Sequence, residues 1–567
     1  MGNIKTFKFK ATELDNIKAV PYCMNWPVVY IINNNSEAYI GETGNAIIRF
    51  KQHLSNKERV KLKEVSVIYD EEFNKSACLD VESLLISYMS ADGIYKLQNG
   101  NLGQSRDHEY YQRKYYLDKF NEIWHDLRRK GLVKHDLAII KNSNLFKFSP
   151  YKSLTEDQYN TVYKIMNDLF KKIQTNEPAA FIVNGGAGTG KTVLAIFLMK
   201  LINDVMSKEL KQSYLDYLED NELYEEGFID ALLNLKNKQK LKIALVIPMT
   251  SLRKTLKMVF RNINGLKPSM VIGPSEVLKD NYDLVIVDEA HRLKRRINLS
   301  GYAQFDKNNK SLGLSNDGTE LDWLMKCSKY QILFYDKTQS VKPTDIRREC
   351  FERINEQEES FQYNLISQLR VEGGVEYIEY IEQLLGDAEN IQVKKFSNYD
   401  FQLYDDLDSM INAIKQKDNE FGLCRNVAGY AWKWRTKGLS YKEIISNKLF
   451  DIEINNVKLI WNTVGQDWVN SPHAIDEIGC IHTVQGYDLN YAGVIFGPEI
   501  TYDEKAQRIQ IKKENYHDMN GSRGIHDEKE LHEYIINIYK VLMTRGIKGT
   551  YVYACDEKLK SYFKKYI

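Results

Sequence analysis

The sequence predicts an α/β protein, a small mixed unit followed by two parallel-sheet lobes, and three observations carry that expectation. The apolar run Phe181-Ile182-Val183 enters a glycine-rich turn, Gly185 to Thr192, and emerges as a helix beginning Val193-Leu194-Ala195. Unbroken apolar runs of strand length recur at 243–247, 284–287 and 332–334. Runs without polar alternation mark strands covered on both faces, as in a parallel sheet flanked by helices. The first hundred residues carry shorter β-rich runs, Val28 to Ile32 and Val65 to Tyr69, between helical stretches.

A chain of 567 residues exceeds what a single hydrophobic core sustains, so several domains are expected. The reading is 1–104 for the small α/β unit, 105–148 for a helical linker, 149–355 for the first lobe and 356–567 for the second. A charged insert over 203–240 interrupts the first lobe. The 78 Lys and Arg nearly cancel the 77 Asp and Glu, so net charge neither announces nor excludes a nucleic-acid partner. None of the seven cysteines forms a C-x-x-C pair, which argues against a zinc ribbon or a disulfide framework and for a reducing compartment. The longest apolar run, 179–202, is broken by the glycine turn and too polar to span a bilayer, and no apolar signal core opens the chain. The expectation is a cytoplasmic protein without membrane contact.

In the first unit, Tyr30 lies on one expected strand and Tyr39-Ile40-Gly41-Glu42-Thr43 on the next. Arg49 and His53 follow at helical spacing, Glu82 sits in an amphipathic helix, and Asn99 opens a loop. Hydrolysis of a phosphodiester needs a base for water, a cation beside the phosphate and a metal ion at the leaving oxygen. This ordered series resembles the GIY-YIG nucleases over residues 25–103. The resemblance implies Tyr30 as base with Tyr39 assisting, Arg49 on the phosphate, Glu82 as ligand of Mg²⁺ or Mn²⁺, and His53 and Asn99 as orienting groups, with Asn101 a rival to Asn99. Val28 stands where that family has its first glycine. The bland alternative is a small α/β domain with core tyrosines, in a chain holding 37 of them.

The first lobe carries the strongest motif. Gly185-Gly186-Ala187-Gly188-Thr189-Gly190-Lys191-Thr192 fits G-x-x-x-x-G-K-[ST] between a strand and a helix. Glycines let backbone N–H groups converge on phosphate oxygens at a helix N-terminus. Lys191 is expected to reach the β- and γ-phosphates and Thr192 to ligate Mg²⁺. The strand 284–287 then delivers Asp288 and Glu289 to a sheet edge where ligands bind. Asp288 is expected to hold Mg²⁺ and Glu289 to polarise the attacking water.

With these motifs the chain resembles the superfamily 1 helicases, and within them the Schlafen-like DNA/RNA helicase domain, with two RecA-like lobes. Gln158, in Leu154-Thr155-Glu156-Asp157-Gln158, stands where that family reads adenine. Pro248-Met249-Thr250 resembles a strand-contacting motif. Gln339 closes Phe334-Tyr335-Asp336-Lys337-Thr338-Gln339, where the family senses the γ-phosphate. Leu369-Arg370 and Met543-Thr544-Arg545 resemble the two arginine-bearing motifs, and Gly486 lies in the coupling motif His482 to Asp488. Arginine fingers from a far lobe accelerate phosphoryl transfer by roughly 10³–10⁵, and Arg370 and Arg545 are the candidates. The absence of a large insert between Ile247 and Val285, and Asp336-Lys337 in place of the commoner Gly-Asp start, argue for translocation or an ATP-gated clamp over processive unwinding.

Weaker features carry less. Trp432, Trp434, Trp461 and Trp468 could stack on bases but read first as core. Lys294-Arg295-Arg296 and Arg128-Arg129-Lys130 could meet phosphates or simply be solvated. Asp107-His108-Glu109 reads as a helix start, and His473 and His517 lack ligand-spaced partners. The combined expectation is an ATP-dependent nucleic-acid enzyme, DNA before RNA, of a kind resembling bacterial defence or repair proteins. Its rivals are an ATP-switched binding sensor and a regulatory NTPase acting on proteins. Homo-oligomerisation and a protein partner stay open.

Overall fold

The computed structural model describes residues 3–100, 110–205, 241–299, 301–337, 339–386, 391–465, 467–484, 487–523, 525 and 527–567. Three large sheets organise them, with a two-stranded hairpin of Ile500–Asp503 and Arg508–Ile511 beside them. The first has five strands in the spatial order Asn3–Lys8, Glu64–Tyr69, Met24–Asn33, Glu37–Asn45 and Lys96–Leu97. Its pairings are antiparallel except at the last, where Glu37–Asn45 runs parallel to Lys96–Leu97. Alternation along Met24–Asn33 gives the sheet two dry faces. Val29 and Ile31 point to the side of the helix Lys75–Asp92, while Val28, Tyr30 and Ile32 pack with Phe50 of the helix Ala46–Ser55.

The second sheet is wholly parallel. Its six strands run Ser360–Leu365, Ala179–Gly185, Ser328–Tyr335, Tyr282–Val287, Ile243–Val246 and Val271–Ile272. The strand Ser360–Leu365 lies beyond the boundary expected at 355, yet it pairs along its whole length with Ala179–Gly185 and so completes the first lobe. Its sequence alternates polar and apolar residues because it is an edge strand, which is why it did not read as part of a buried parallel sheet. The third sheet has seven strands in the order Asp400–Leu403, Gly546–Ala554, Leu489–Phe496, Arg425–Ala428, Glu477–Cys480, Val457–Trp461 and Ile452–Ile454, parallel apart from the final hairpin.

The stretch read as a linker is a structural member. Its helices Arg113–Arg129, Leu137–Asn142 and Asn144–Lys147 bury Phe120, Trp124 and Ile140 in one continuous core with Val29 and Ile40 of the first unit and Ile165, Phe181 and Ile196 of the first lobe. Burial of such side chains is worth roughly 1.5–3 kcal/mol each, so this contact welds the first unit to the lobe. Among the described residues no helix is long and apolar enough to cross a membrane. Of the insert expected over 203–240, residues 203–205 belong to the helix Lys191–Val205, while 206–240, Asn101 and Asp107-His108-Glu109 lie outside the described residues.

Candidate nucleotide cleft and head site

Four neighbouring strands of the parallel sheet end at one edge, and each end carries a polar group of the cleft. Ala179–Gly185 opens into the glycine loop, whose Gly188 and Gly190 adopt positive φ of 83° and 80°. That conformation costs glycine little and other residues more. The helix Lys191–Val205 starts at the loop's end. Lys191 is buried, and its Nζ donates to the carbonyls of Gly185 at 2.6 Å and Gly186 at 2.7 Å and pairs with Asp336 at 3.1 Å. Thr189 Oγ1 donates to the Gly186 carbonyl at 3.1 Å.

Thr192 Oγ1 donates to Asp288 Oδ2 at 2.7 Å, while Asp288 Oδ1 is buried with no hydrogen-bond partner. Burial, then the neighbouring Glu289 carboxylate, raises the Asp288 carboxyl above its ordinary range. Burial acts the same way on Glu289, but His291, with Nε2 3.0 Å from Glu289 Oε2, and the cations Lys191 and Arg545 pull it below. Glu289 has φ of 53°, a left-handed backbone that a non-glycine residue adopts at a cost of order 1–3 kcal/mol. Such strain concentrates where side-chain aim matters.

Gln158 ties the loop from behind. Its Nε2 donates to the Thr189 carbonyl at 2.9 Å, and its Oε1 accepts from Thr155 N at 3.2 Å in a capping box that starts the helix Glu156–Thr175. Both ends of the amide are therefore engaged by the protein. From the edge strand, the chain crosses directly over the loop. Gln368 Nε2 donates to the Ala187 carbonyl at 2.6 Å and Leu369 N to the Gly188 carbonyl at 2.9 Å. A Cβ built on Gly188 would lie 2.9 Å from Arg370 Cβ.

The second lobe supplies the facing wall. Arg545 is fully buried; its guanidinium reaches the Tyr487 carbonyl at 3.3 Å and Gln339 Oε1 at 3.4 Å, across the lobe boundary. Gln339 in turn donates to Asp336 Oδ2 at 2.6 Å. Arg370 forms an ion pair with Asp488. Burial and the adjacent Arg370 push the Arg545 guanidinium down to about 9, an expensive placement that the Asp488, Glu289 and Asp336 carboxylates offset only in part. A cavity of about 680 Å³ beside these groups is lined by Gly185, Asp336 and Gln339 from one lobe and Lys540 and Thr544 from the other. Gly486 lies outside the described residues.

The head site assembles from the first sheet and two helices. Tyr30 Oη and His53 Nε2 share a hydrogen bond of 2.7 Å, and Arg49 Nε donates to the same phenol oxygen at 3.4 Å. Gly41 explains itself: a Cβ there would stand 2.3 Å from Tyr30 Oη. Tyr39 lies 6.3 Å from Tyr30 between ring centroids. Asn99 works through the backbone, accepting from Ile40 N at 3.1 Å and donating to Ile40 O at 2.8 Å. Glu82 is buried on Lys75–Asp92, and burial, then the Glu42 carboxylate, raises its carboxyl well above the ordinary range. Burial, Arg49 and Arg59 hold His53 down to about 2, so its imidazole stays neutral.

Sequence reading missed several partners. Arg59 lies 3.7 Å from the Tyr39 ring centroid and donates to Gln98 at 2.7 Å, but an isolated arginine after a helix carries no signal. Glu42, paired with Lys75 and holding a buried, unpartnered Oε2, stands at the variable position of Tyr39-Ile40-Gly41-Glu42-Thr43, which gives it no role by pattern. Asp336, Gln368 and Asp488 were missed as cleft residues because their partners are distant in sequence. Trp461 and Trp468 are core, while Trp432 and Trp434 are half-buried against it. Arg295 and Arg296 are engaged by Glu530 and Asp306.

The fold and the cleft define a two-lobed α/β protein with a phosphate-binding loop at the lobe boundary. The family model for the Schlafen group 3 DNA/RNA helicase domain matches residues 178–556, more than half of the chain, and the chain belongs to that family. It is 28% identical over 421 residues to uncharacterized protein YPL245W of Saccharomyces cerevisiae, covering 69% of this chain and 84% of that one. Among solved structures it is similar to Pif1 helicase from Candida albicans, at 11% identity and a TM-score of 0.25, covering 73% of this chain and 99% of that one. It is also similar to PRRSV helicase, at 8% identity and a TM-score of 0.26, covering 66% of this chain and about half, 52%, of that one. Similarities as weak as these last two carry no weight for activity.

Proposed function

We propose that the chain is an ATP-dependent nucleic-acid enzyme in which a superfamily 1-type ATPase, built of two RecA-like lobes, drives or licenses a metal-dependent endonuclease head of the GIY-YIG kind. The observation that carries the motor half is convergence: Arg370 abuts the glycine loop and Arg545 reaches Gln339 across the cleft, where cations are needed to neutralise charge on a transferring phosphate.

The donor sets suit the groups the reading requires. The free, buried Asp288 Oδ1 and the Thr192 hydroxyl fit a Mg²⁺-bound triphosphate, with Lys191 released from Asp336 to meet the phosphates. Glu82, with Glu42 beside it, fits a divalent ion in the head. When bound, such ions supply positive charge to the phosphate oxygens. Around them, Glu289 orients water in the cleft. In the head, neutral His53 accepts a hydrogen bond from the Tyr30 phenol and so orients the group that faces the attacking water, and Arg49 steadies the phosphodiester. The head reading rests on the Tyr30–His53–Arg49 cluster lying on the same small unit as a buried Glu82.

The test is ATP hydrolysis and strand cleavage on a panel of single- and double-stranded DNA and RNA with Mg²⁺ or Mn²⁺, with Lys191→Ala and Tyr30→Phe as controls. Nucleic-acid-stimulated hydrolysis lost in Lys191→Ala, with cleavage lost in Tyr30→Phe, supports both halves. Binding that survives Glu82→Ala with no cleavage in any variant marks an ATP-switched binder. Hydrolysis indifferent to every nucleic acid points to an NTPase acting on proteins.

A further inference from the structure

The segment between the head and the first lobe also touches the second lobe, and it does so next to the cleft. Lys147 Nζ donates to the Asp488 carbonyl at 3.2 Å. Asp488 also pairs through its carboxylate with Arg370, whose neighbours Gln368 and Leu369 hydrogen-bond to the glycine loop. Asn142 reinforces the contact, donating to the Phe421 carbonyl at 3.1 Å and accepting from Asn490 at 3.3 Å.

The same four-residue helix that bears Lys147 grips the head. Phe146 stacks on Tyr88 with ring centroids 4.7 Å apart, and Tyr88 lies on Lys75–Asp92, the helix of Glu82. Ser83, next to Glu82, shares a 3.1 Å hydrogen bond with Ser153, just ahead of the Thr155 cap that holds Gln158 against Thr189. Lys147 is half-buried, and its partial loss of water lowers its amine from the ordinary value. An amine held in this way depends on its acceptor, so a shift of Asp488 is felt by the helix that carries Lys147.

Resting on the ATPase reading above, we infer that Lys147 is the positioning residue that carries nucleotide-dependent movement of Asp488 and Arg370 through Phe146 and Tyr88 to the helix bearing Glu82. A triphosphate entering the loop competes with Asp336 for the Lys191 ammonium, Arg370 is drawn to the new anion, and Asp488 is freed to move with the second lobe. Two bistable packings of the short helix against the head then report the state of the cleft.

The experiment is hydrogen exchange on the full chain with and without a non-hydrolysable ATP analogue and Mg²⁺. It compares wild type with Lys147→Met, Lys147→Arg and Phe146→Leu, each first checked for an unchanged thermal midpoint. The expected result is a nucleotide-dependent change at both Lys191–Val205 and Lys75–Asp92 in wild type. Lys147→Met and Phe146→Leu keep the first and lose the second, and Lys147→Arg restores it. ATP hydrolysis is unchanged in Lys147→Met, while any ATP-dependent gain in cleavage falls towards onefold. An undiminished response at Lys75–Asp92 in both Lys147→Met and Phe146→Leu overturns the relay. A wild-type response confined to Lys191–Val205 also overturns it while leaving nucleotide binding intact. Silence at both segments overturns the nucleotide reading as well.

Discussion

The cleft and the head solve the same electrostatic problem in opposite ways. The cleft gathers formal charges: Lys191, Arg370 and Arg545 face Asp288, Glu289, Asp336 and Asp488, and each cation has an anion or carbonyl within reach. Its parts come from four strand ends of one lobe and from the second lobe. The head sets groups held neutral by burial beside the cations Arg49 and Arg59: Tyr30 and Glu82 lie well above their ordinary values, His53 far below. Its parts come from residues 30 to 99 within one small unit. A charged site spread over two lobes responds to their separation; a site contained in one small unit depends on that unit's own packing.

The largest test of that difference is removal of the far-lobe cations. Arg545→Ala or Arg370→Ala should lower the rate of ATP hydrolysis by about 10³ or more, measured under saturating nucleotide, with cleavage in the absence of ATP unaffected. Tyr30→Phe should do the reverse, reducing cleavage by about 10²–10⁴ with hydrolysis intact. Crossed effects, in which either variant abolishes both activities while the protein stays folded, would break the separation of the two sites.

Gly41→Ala sharpens the steric side. Its Cβ would collide with the Tyr30 hydroxyl, so cleavage should fall to the level of Tyr30→Phe while ATP hydrolysis persists. The thermal midpoint should also drop, since forcing extra atoms into a packed site costs about 1–3 kcal/mol.

The smallest effects lie in the pH dependence of stability. His53 is neutral in the folded head and protonated in the unfolded chain below its ordinary value near 6.5, so the unfolded state binds more protons and stability rises with pH up to that point, by about 1.4 kcal/mol per unit. Glu82 has the opposite sign: with a raised carboxyl it stays protonated when folded and ionises when unfolded, so stability falls as pH rises above about 4.5. The two slopes oppose each other between those values. Denaturant unfolding of the head followed by its own probe should therefore be nearly flat from about pH 5 to 6 in wild type. It should slope downward in His53→Gln and upward in Glu82→Gln. A flat profile in all three would mean that neither group is held neutral by the fold.

Much of the molecule was legible in its chain. The glycine loop, Asp288-Glu289 and the buried parallel strands could be read because their spacing is local and their chemistry narrow. Tyr30, Tyr39, Arg49, His53, Glu82 and Asn99 could be set in order along the chain, and the structure joins Tyr30, Arg49 and His53 by hydrogen bonds. The edge strand Ser360–Leu365 escaped because an edge strand is patterned by water on one side and says nothing about which sheet it joins. Asp336 as the partner of Lys191, Gln368 on the loop, Arg59 under Tyr39 and Lys147 on Asp488 escaped because each contact spans a sequence distance that no local pattern encodes.

By itself, then, the amino-acid order determined which chemistry the chain can hold: a loop of main-chain donors, a pair of strand-end carboxylates, and tyrosines set beside a cation and an acid. Periodicity and backbone freedom act over a few residues, and they suffice for that. Only the tertiary structure decided which charges meet, which groups lose their charge to burial, and that the supposed linker is packed into one core with the head and the first lobe. Those outcomes depend on dielectric and on contacts between distant segments, and both exist only once the chain has closed upon itself.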